Sequence, residues 1–438
     1  MGDRGVCRLW RGERREHLPF LLRGRGGAWL RAPAPERCRQ RQTDEANKPA
    51  EVEAIEAFLF SQAEFRHNVI THHCEIRWTE EAGFLPLTDR DVNTLWGRMN
   101  KTVGRVYLTD IYNVIHSEFV PLFNPFQSYF DHLPSWDGVS DPIGDLADTV
   151  HVKSDQAEFR DYFRKWFVGI LPALLDDTVV NHEILVLIGE QGLYKTTWFN
   201  FLLPPELRCY FYTKTNSDRL NKDDLFSLTE FALICFEELD GMRPAELNQL
   251  KAMVTMPYVN ERAAYGRNKE RHPHIASFCG TGNNVQFLTD PTGNRRWLPF
   301  EVSQIRDPHL HAIPYELVYS QAYALWKSGF CHWFSQEEIR VLNTHNSRFE
   351  VPNLEEDLIR THFRKPFEGE AGIFVTAADI LEQISSCLRY PLSPNKIGRI
   401  MAGLEFESIR YKGKRGYITV KKTGEDIDRE RRSGALGL

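Results

Sequence analysis

Residues 184–197 read ILVLIGEQGLYKTT. Five consecutive apolar residues, Ile184–Ile188, make a buried parallel strand. Gly189 breaks it, and Trp198–Leu203 continue as helix until Pro204-Pro205 stops it. Strand, glycine-bearing loop, Lys-Thr and helix in this order form a phosphate-binding P-loop, in which loop N–H groups and the helix N-terminus face the phosphates. The expected contacts to ATP are Gly189, Glu190, Gln191, Gly192, Leu193, Tyr194, Lys195, Thr196 and Thr197, with Lys195 reaching the β/γ-phosphates and the Thr196 hydroxyl holding Mg²⁺. The G-x-x-x-x-G-K-[ST] pattern has Gly before the Lys, where this chain has Tyr194. A positive φ there penalises tyrosine, and Gly192 could supply the freedom two residues earlier. Taken alone, a strand–turn–helix corner with an exposed lysine has the same pattern.

The residues downstream argue against that plain corner. Phe231–Phe236 is a second apolar strand and ends in Glu237-Glu238-Leu239-Asp240. Acids at the carboxyl end of a buried strand sit where open α/β sheets bind ligands. Glu237 is the expected metal-side carboxylate and Glu238 the one that polarises the attacking water; an acidic cap for the helix near Ala245–Met253 is the structural alternative. Ile275–Gly282 is a third strand, and Asn283 after it could position that water. Arg295 and Arg296 lie in a Gly-Asn turn ahead of strand Trp297–Val302, which suits an arginine finger as well as a solvated turn.

These pieces together are more specific than any one of them. Residues 130–302 resemble the virulence-associated E (VapE-like) family and, more distantly, the superfamily-3 helicases of the AAA+ class. The resemblance rests on LPSWDG (Leu133–Gly138), GEQGLYKTT (Gly189–Thr197), EELD (Glu237–Asp240), ERAAYGR (Glu261–Arg267), GTGNN (Gly280–Asn284) and FLTDPTGNRRW (Phe287–Trp297). Tyr194 departs from the family pattern, as does Gly282 where Thr is frequent. The family occurs on phages, plasmids and integrated islands, often fused to or encoded beside a primase. The resemblance therefore implies an ATP-driven replicative motor working as a homo-oligomeric ring, a hexamer, with a separate primase as a partner. No primase module is legible here, and residues 1–48 are too short for one.

Composition sets the bounds. The 438 residues suffice for two to four domains, and 42% hydrophobic with 26% charged residues is ordinary for a soluble globular protein. No apolar run approaches the ~20 residues that span a bilayer. The eight cysteines are scattered without a C-x-x-C pair, which fits a reducing cytoplasm and neither zinc nor a disulfide framework; His72-His73-Cys74 has no matching ligand pair nearby. Residues 1–42 carry eleven Arg against four acids, a net +7 that leaves the remainder at −13 of the total −6. Nucleic-acid binding must come from local patches rather than the bulk field.

The flanks read as separate units. The Arg-, Gly- and Pro-rich residues 1–48 are expected to be disordered, as an arm touching nucleic acid, a solvated tail, or a product of an upstream start codon. Residues 49–140 read as a mostly helical domain: helix from near Glu51, a strand over Phe65–Trp78, Asp89 capping Val92–Met99 and Thr109 capping Ile111–Phe119. An aromatic, Pro-punctuated connection follows, with a turn at Asp137-Gly138, and then helix Glu158–Leu175 with the stripe Phe159, Tyr162, Phe163, Trp166 and Ile170. The ATPase domain is expected over 141–335. Within it, the β-leaning stretches Tyr258–Gly266 and Ile275–Gly282 flank the short charged turn RNKERHPH as a hairpin, made locally basic by Arg262, Arg267, Lys269 and Arg271, of which Arg262, Arg267 and Lys269 are candidates for nucleic acid. Residues 336–365 are the expected helical lid or linker, beginning with a Ser335/Glu338 capping box.

Residues 366–422 have the order helix, helix, basic hairpin of a winged helix. Thr376 and Ser393 cap the two helices. Lys396, Arg399, Lys412, Lys414 and Arg415 are the candidate phosphate contacts, against a plain protein-docking role. Residues 423–438 read as a disordered tail. The expected fold is thus α/β, an AAA+-like P-loop core with a helical N-terminal domain and a C-terminal winged-helix-like domain. The expected function is a cytoplasmic ATPase that opens single-stranded or forked DNA in replication of a mobile element. The alternatives are a DNA-binding regulatory ATPase that does not translocate and a non-hydrolysing structural P-loop protein.

Overall fold

The computed structural model describes residues 50–79, 83–215, 222–261, 270–289, 294–351, 354–367, 369–385 and 393–427. The expected tail 1–48 and the basic residues Arg262, Arg267 and Lys269 lie outside them. The chain is a mixed α/β fold with several sheets and divides into two compact units, one over 1–65 and 76–120, the other over 66–75 and 121–438.

In the first unit α1 (Val52–Gln62) buries Ile55 and Leu59. The single strand expected over Phe65–Trp78 is instead two strands, β1 (Ala63–Asn68) and β2 (His73–Trp78). The break comes from the Asn68 side chain, whose Oδ1 accepts from the N–H groups of Ile70 and Thr71 at 3.0 and 3.2 Å, and His72 turns the chain with φ of 56°. After β3 (Leu85–Pro86) come α2 (Asp89–Thr102) and α3 (Leu108–Ile115). Their caps differ from expectation by one and two residues. Thr88, not Asp89, caps α2 in a reciprocal pair with Asp91, and Tyr107, not Thr109, precedes α3, where its N–H donates to Asp110.

The second unit begins the main core earlier than the expected boundary at 140. After β4 (Leu122–Phe123), the short α4 (Pro125–Asp131), capped by Asn124, sends Phe126 and Phe130 into the same cluster as the central sheet. Then follow α5 (Pro142–Ala147), β5 (Val150–Val152) and α6 (Gln156–Leu175), started by Asp155, whose carboxylate accepts from Ala157 N–H at 2.9 Å. The apolar stripe of α6 is core: Phe159, Phe163, Trp166 and Ile170 are fully buried, and Trp166 Nε1 donates to the Phe278 carbonyl at 2.9 Å. Each such side chain contributes roughly 1.5–3 kcal/mol by burial.

The sheet that α6 covers contains β6 (Ile184–Ile188), β7 (Phe211–Lys214), β8 (Leu233–Phe236), β11 (Ser277–Gly282) and β12 (Trp297–Ile305), in the order β5-β12-β6-β11-β8-β7. All neighbours are parallel except β5 on β12. The uninterrupted apolar runs of β6 and β8 follow from burial on both faces. Helices α7 (Lys195–Leu202), α8 (Lys222–Glu230) and α9 (Pro244–Val254) connect them. β9 (Tyr258–Glu261) and β10 (Glu270–Pro273) pair antiparallel, so the hairpin's second strand lies within the stretch expected as its turn, and the expected partner strand over Ile275–Gly282 instead joins the central sheet as β11. α10 (Tyr315–Lys327) packs beside α6, and its Tyr319 hydroxyl donates to the Leu202 carbonyl at 3.0 Å.

The span 336–365, expected as one lid, splits between two cores. α11 (Gln336–Asn346), with its Ser335/Glu338 capping box, buries Leu342 in the main core. Its His345 sits between Glu158 Oε2 at 2.9 Å and the Pro299 carbonyl at 2.7 Å. α12 (Leu354–His362) and β13 (Phe363–Arg364) instead give Ile359 and Phe363 to the C-terminal cluster. That cluster therefore starts near 354, not 366. It is completed by β14 (Ile373–Val375), α13 (Ala377–Ser385), α14 (Pro394–Gly403), β15 (Ser408–Tyr411) and β16 (Lys414–Lys421). β13, β14 and β15 all pair antiparallel with β16. Beyond it Thr423 caps a helical turn through Asp426, where a disordered tail was expected; residues 428–438 lie outside the described residues.

Candidate functional site

The loop after β6 emerges between the carboxyl ends of β11 and β12, the edge where open α/β sheets hold ligands. Gly189 N–H donates to the Gly282 carbonyl at 3.1 Å, so the β6 and β11 ends stay joined as the loop begins. Two residues in the loop turn left-handed. Gly192 has φ of 84°, and Tyr194 has φ of 59° and ψ of 18° directly before α7. The tyrosine thus stands where glycine is preferred, a conformation that costs a side chain about 1–2 kcal/mol. Its ring is exposed. Tyr194→Gly is expected to leave stability unchanged or raise it by up to about 1 kcal/mol, because relief of the left-handed backbone exceeds the added freedom of the unfolded chain. Thermal unfolding checks this. A clear loss of stability would mean that the ring makes contacts worth more than the strain.

Lys195 opens α7 and is buried. Its Nζ donates to the carbonyls of Gly189 and Glu190 at 2.7 and 2.8 Å and lies 3.4 Å from Asn283 Oδ1. Burial holds its pKa below the usual lysine range, and the nearby Asp240 carboxylate works against that shift. The Thr196 hydroxyl donates to Glu237 Oε1 at 2.8 Å across from the end of β8. Glu238 follows in a left-handed turn with φ of 54°, which points successive residues of the acidic stretch in different directions. Asn283 is held by the backbone: Asp240 accepts the N–H groups of Asn283 and Asn284 at 3.2 and 3.0 Å.

These groups surround one cleft of about 360 Å³, lined by Gln191, Gly192, Leu193, Tyr194, Lys195, Thr196, Thr197, Glu237, Glu238, Thr281, Gly282 and Asn283. The structure therefore brings together the expected residues of the loop, both glutamates and Asn283. Gly189 and Glu190 form the loop's entry and meet Lys195 through their carbonyls. Asp240 and Thr281 were missed. The acid two residues past the glutamate pair was the available signal for Asp240; a buried strand threonine offers none.

Arg295 and Arg296 do not join this cleft within the chain. They precede β12, whose Trp297 lies opposite Ile184 at the amino end of β6, away from the loop. There both bear on His182, and burial pushes the Glu183 carboxyl up to about 7 against backbone hydrogen bonds and the pull of Lys165 and Arg296. Among the C-terminal candidates, Arg399, Lys412, Lys414 and Arg415 are exposed. Lys396 is exposed as well, and its ammonium is ion-paired with the buried Glu355 of α12, which ties α14 to α12.

The donor set fits ATP with Mg²⁺. A buried ammonium beside loop N–H groups suits phosphate, and a hydroxyl paired with a carboxylate offers the hard oxygens that Mg²⁺ takes. No cluster of metal-ligating His, Cys, Asp or Glu occurs among the described residues, and no described helix is long and apolar enough to cross a membrane.

An open, mostly parallel sheet with a charged cleft at its carboxyl edge defines the class of this α/β chain. The chain belongs to the virulence-associated protein E-like domain family, whose model matches residues 131–351, just over half of its length. The match runs past the quoted motifs to a segment that returns to them, where Phe287 and Leu288 donate to the Phe349 carbonyl and Val351 to that of Leu288. No curated protein matches the chain. Among solved structures, the apo structure of the NrS-1 C-terminal region aligns at 12% identity with a TM-score of 0.45, covering 85% of this chain and 99% of that one. An A-form apo structure of the same region gives 12% and 0.42 at the same coverage, and another A-form structure gives 11% and 0.46, covering 84% and 99%.

Proposed function

We propose that this chain is an ATP-hydrolysing P-loop motor, a DNA helicase acting in replication of a mobile genetic element. One observation carries the reading: Lys195, the Thr196–Glu237 pair, Glu238 and Asn283 converge on one cleft from the ends of three neighbouring parallel strands. Lys195 leaves its two loop carbonyls and donates to the β/γ-phosphates instead. Thr196 and Glu237 would hold Mg²⁺, which when bound neutralises phosphate charge. Glu238 would orient the attacking water and take its proton, and Asn283 would help to hold that water.

The small C-terminal unit is proposed as a winged helix, with Arg399, Lys412, Lys414 and Arg415 toward DNA, joined by Arg262, Arg267 and Lys269 of the β9–β10 hairpin. The family supports a cytoplasmic ring, a hexamer, and a primase supplied separately. A non-hydrolysing reading has one observation in its favour, the left-handed Tyr194 with Lys195 folded back on the loop. Phosphate release by the purified chain, with and without single-stranded DNA, tests the proposal. Turnover that DNA stimulates, together with unwinding of a forked duplex, is the expected result. Turnover without unwinding would leave a regulatory ATPase, and nucleotide binding without turnover would leave the structural reading.

A further inference from the structure

The β15–β16 hairpin has a composition unlike the rest of the chain. Residues 408–422, SIRYKGKRGYITVKK, hold six Lys or Arg and no acid in a chain of net charge −6. The two-residue turn is Lys412-Gly413, with φ of 47° and 79°. Both values are left-handed, as such hairpin turns require, and Asn or Gly is the usual first residue. A lysine kept there at a conformational cost puts a cation at the hairpin tip.

The register divides the sheet into two faces. Val375, Tyr417 and Thr419 are buried and point inward. Phe374 and Ile418 lie opposite each other on the outer side, as do Tyr411 and Lys414. On that side the Phe374 ring lies over Gly416, where a Cβ would sit 2.6 Å from its Cζ. Tyr411 packs on Phe374 with ring centroids 5.4 Å apart, yet remains 52% exposed. Lys412 Nζ stands 5.3 Å from the Tyr411 centroid. Of the neighbouring carboxylates, Asp379 accepts the Thr376 N–H and hydroxyl at 2.8 Å and also bears electrostatically on Lys414 and Lys421, while Glu405 pairs with Lys365 at 3.2 Å.

We infer that this outer face binds single-stranded nucleic acid, an unpaired base stacking on Tyr411 with Phe374 behind it while Lys412 and Lys414 meet the flanking phosphates. An exposed ring backed by a second ring and rimmed by cations is the arrangement that reads single strands without sequence preference. A base inside a duplex has both faces already stacked and gains nothing from Tyr411. The absence of acids in residues 408–422 disfavours a basic or neutral protein surface as the occupant. The inference rests on the nucleic-acid part of the proposed function and not on ATP hydrolysis.

Fluorescence anisotropy of the full chain with labelled oligo-dT, and with a duplex of equal length, over a series of salt concentrations tests it. Tyr411→Ala should weaken oligo-dT binding roughly 5- to 150-fold, with an unchanged salt slope and little effect on the duplex. Tyr411→Trp should retain the affinity. Lys412→Ala should flatten the salt slope on oligo-dT by about 0.7. Equal losses on both substrates, or none, would overturn the stacking assignment and leave a phosphate-binding surface at most. A wild-type chain that binds neither substrate would overturn the DNA-acting function itself, so the two failures are distinguishable. Tyr411 is exposed, and far-UV circular dichroism of each variant verifies that the fold persists.

Discussion

Lys195→Ala is expected to remove ATP hydrolysis by at least about 100-fold, the range lost when one preorganised charge-stabilising donor is deleted. ATP binding should weaken at the same time, by roughly 10- to 150-fold for a lost hydrogen bond from a charged group. The ammonium is already buried beside the loop, so little must be desolvated when phosphate replaces the Gly189 and Glu190 carbonyls as its acceptors. Phosphate release and titration with a fluorescent nucleotide measure the two effects separately. Glu238→Gln provides the contrast: it preserves shape and should keep binding while losing turnover, because an amide cannot take the proton of water. Normal turnover by Lys195→Ala would refute the P-loop assignment, whatever Glu238→Gln does.

The parts of this site that could be read in the sequence are those built from contiguous residues. Ile184–Ile188, Phe231–Phe236 and Ile275–Gly282 each announce a buried strand, and the chemistry sits directly after each run. A parallel sheet gathers those ends at one edge, so three local readings became one cleft. What escaped depended on partners far along the chain. Nothing near Lys396 signals that Glu355, 41 residues earlier, will take its charge. Nothing in the aromatic connection around Phe126 reveals that Asn124 caps a short helix and that two of its rings belong to the main core. Asp240 looked like one more acid in a turn, yet its two backbone acceptances hold Asn283 against the cleft. The division of 336–365 between two cores was equally invisible, since α11 and α12 have similar amphipathic patterns and only their packing differs.

Arg295→Ala is expected to lower turnover by roughly 10³–10⁵, the effect of losing an arginine finger, while ATP binding and assembly persist. The pair lies at the amino end of β12, beyond reach of the cleft of its own chain, so any action on phosphate must come from a neighbouring subunit. The turn that carries it is pinned: Asn346 Nδ2 donates to the carbonyls of Asn294 and Trp297 at 2.8 and 3.0 Å, and Asn294 Nδ2 to Glu350 at 2.8 Å. Within the turn the two arginines differ. Arg296 is half-buried, and its pKa is lowered by burial and then by Arg295, with Glu183 opposing; Arg295 is exposed. Arg296 therefore suits the anchor and Arg295 the finger. Action in trans makes a specific demand on mixtures. Lys195→Ala and Arg295→Ala subunits should each be inactive alone, but in a random equal mixture about a quarter of the head-to-tail interfaces pair an intact loop with an intact arginine. Activity should return in that proportion, and the same experiment with Arg296→Ala assigns its role. If neither mixture regains activity although each variant binds ATP and assembles, the pair acts within its own subunit or only shapes the turn, and the proposed ring loses its strongest support in this chain.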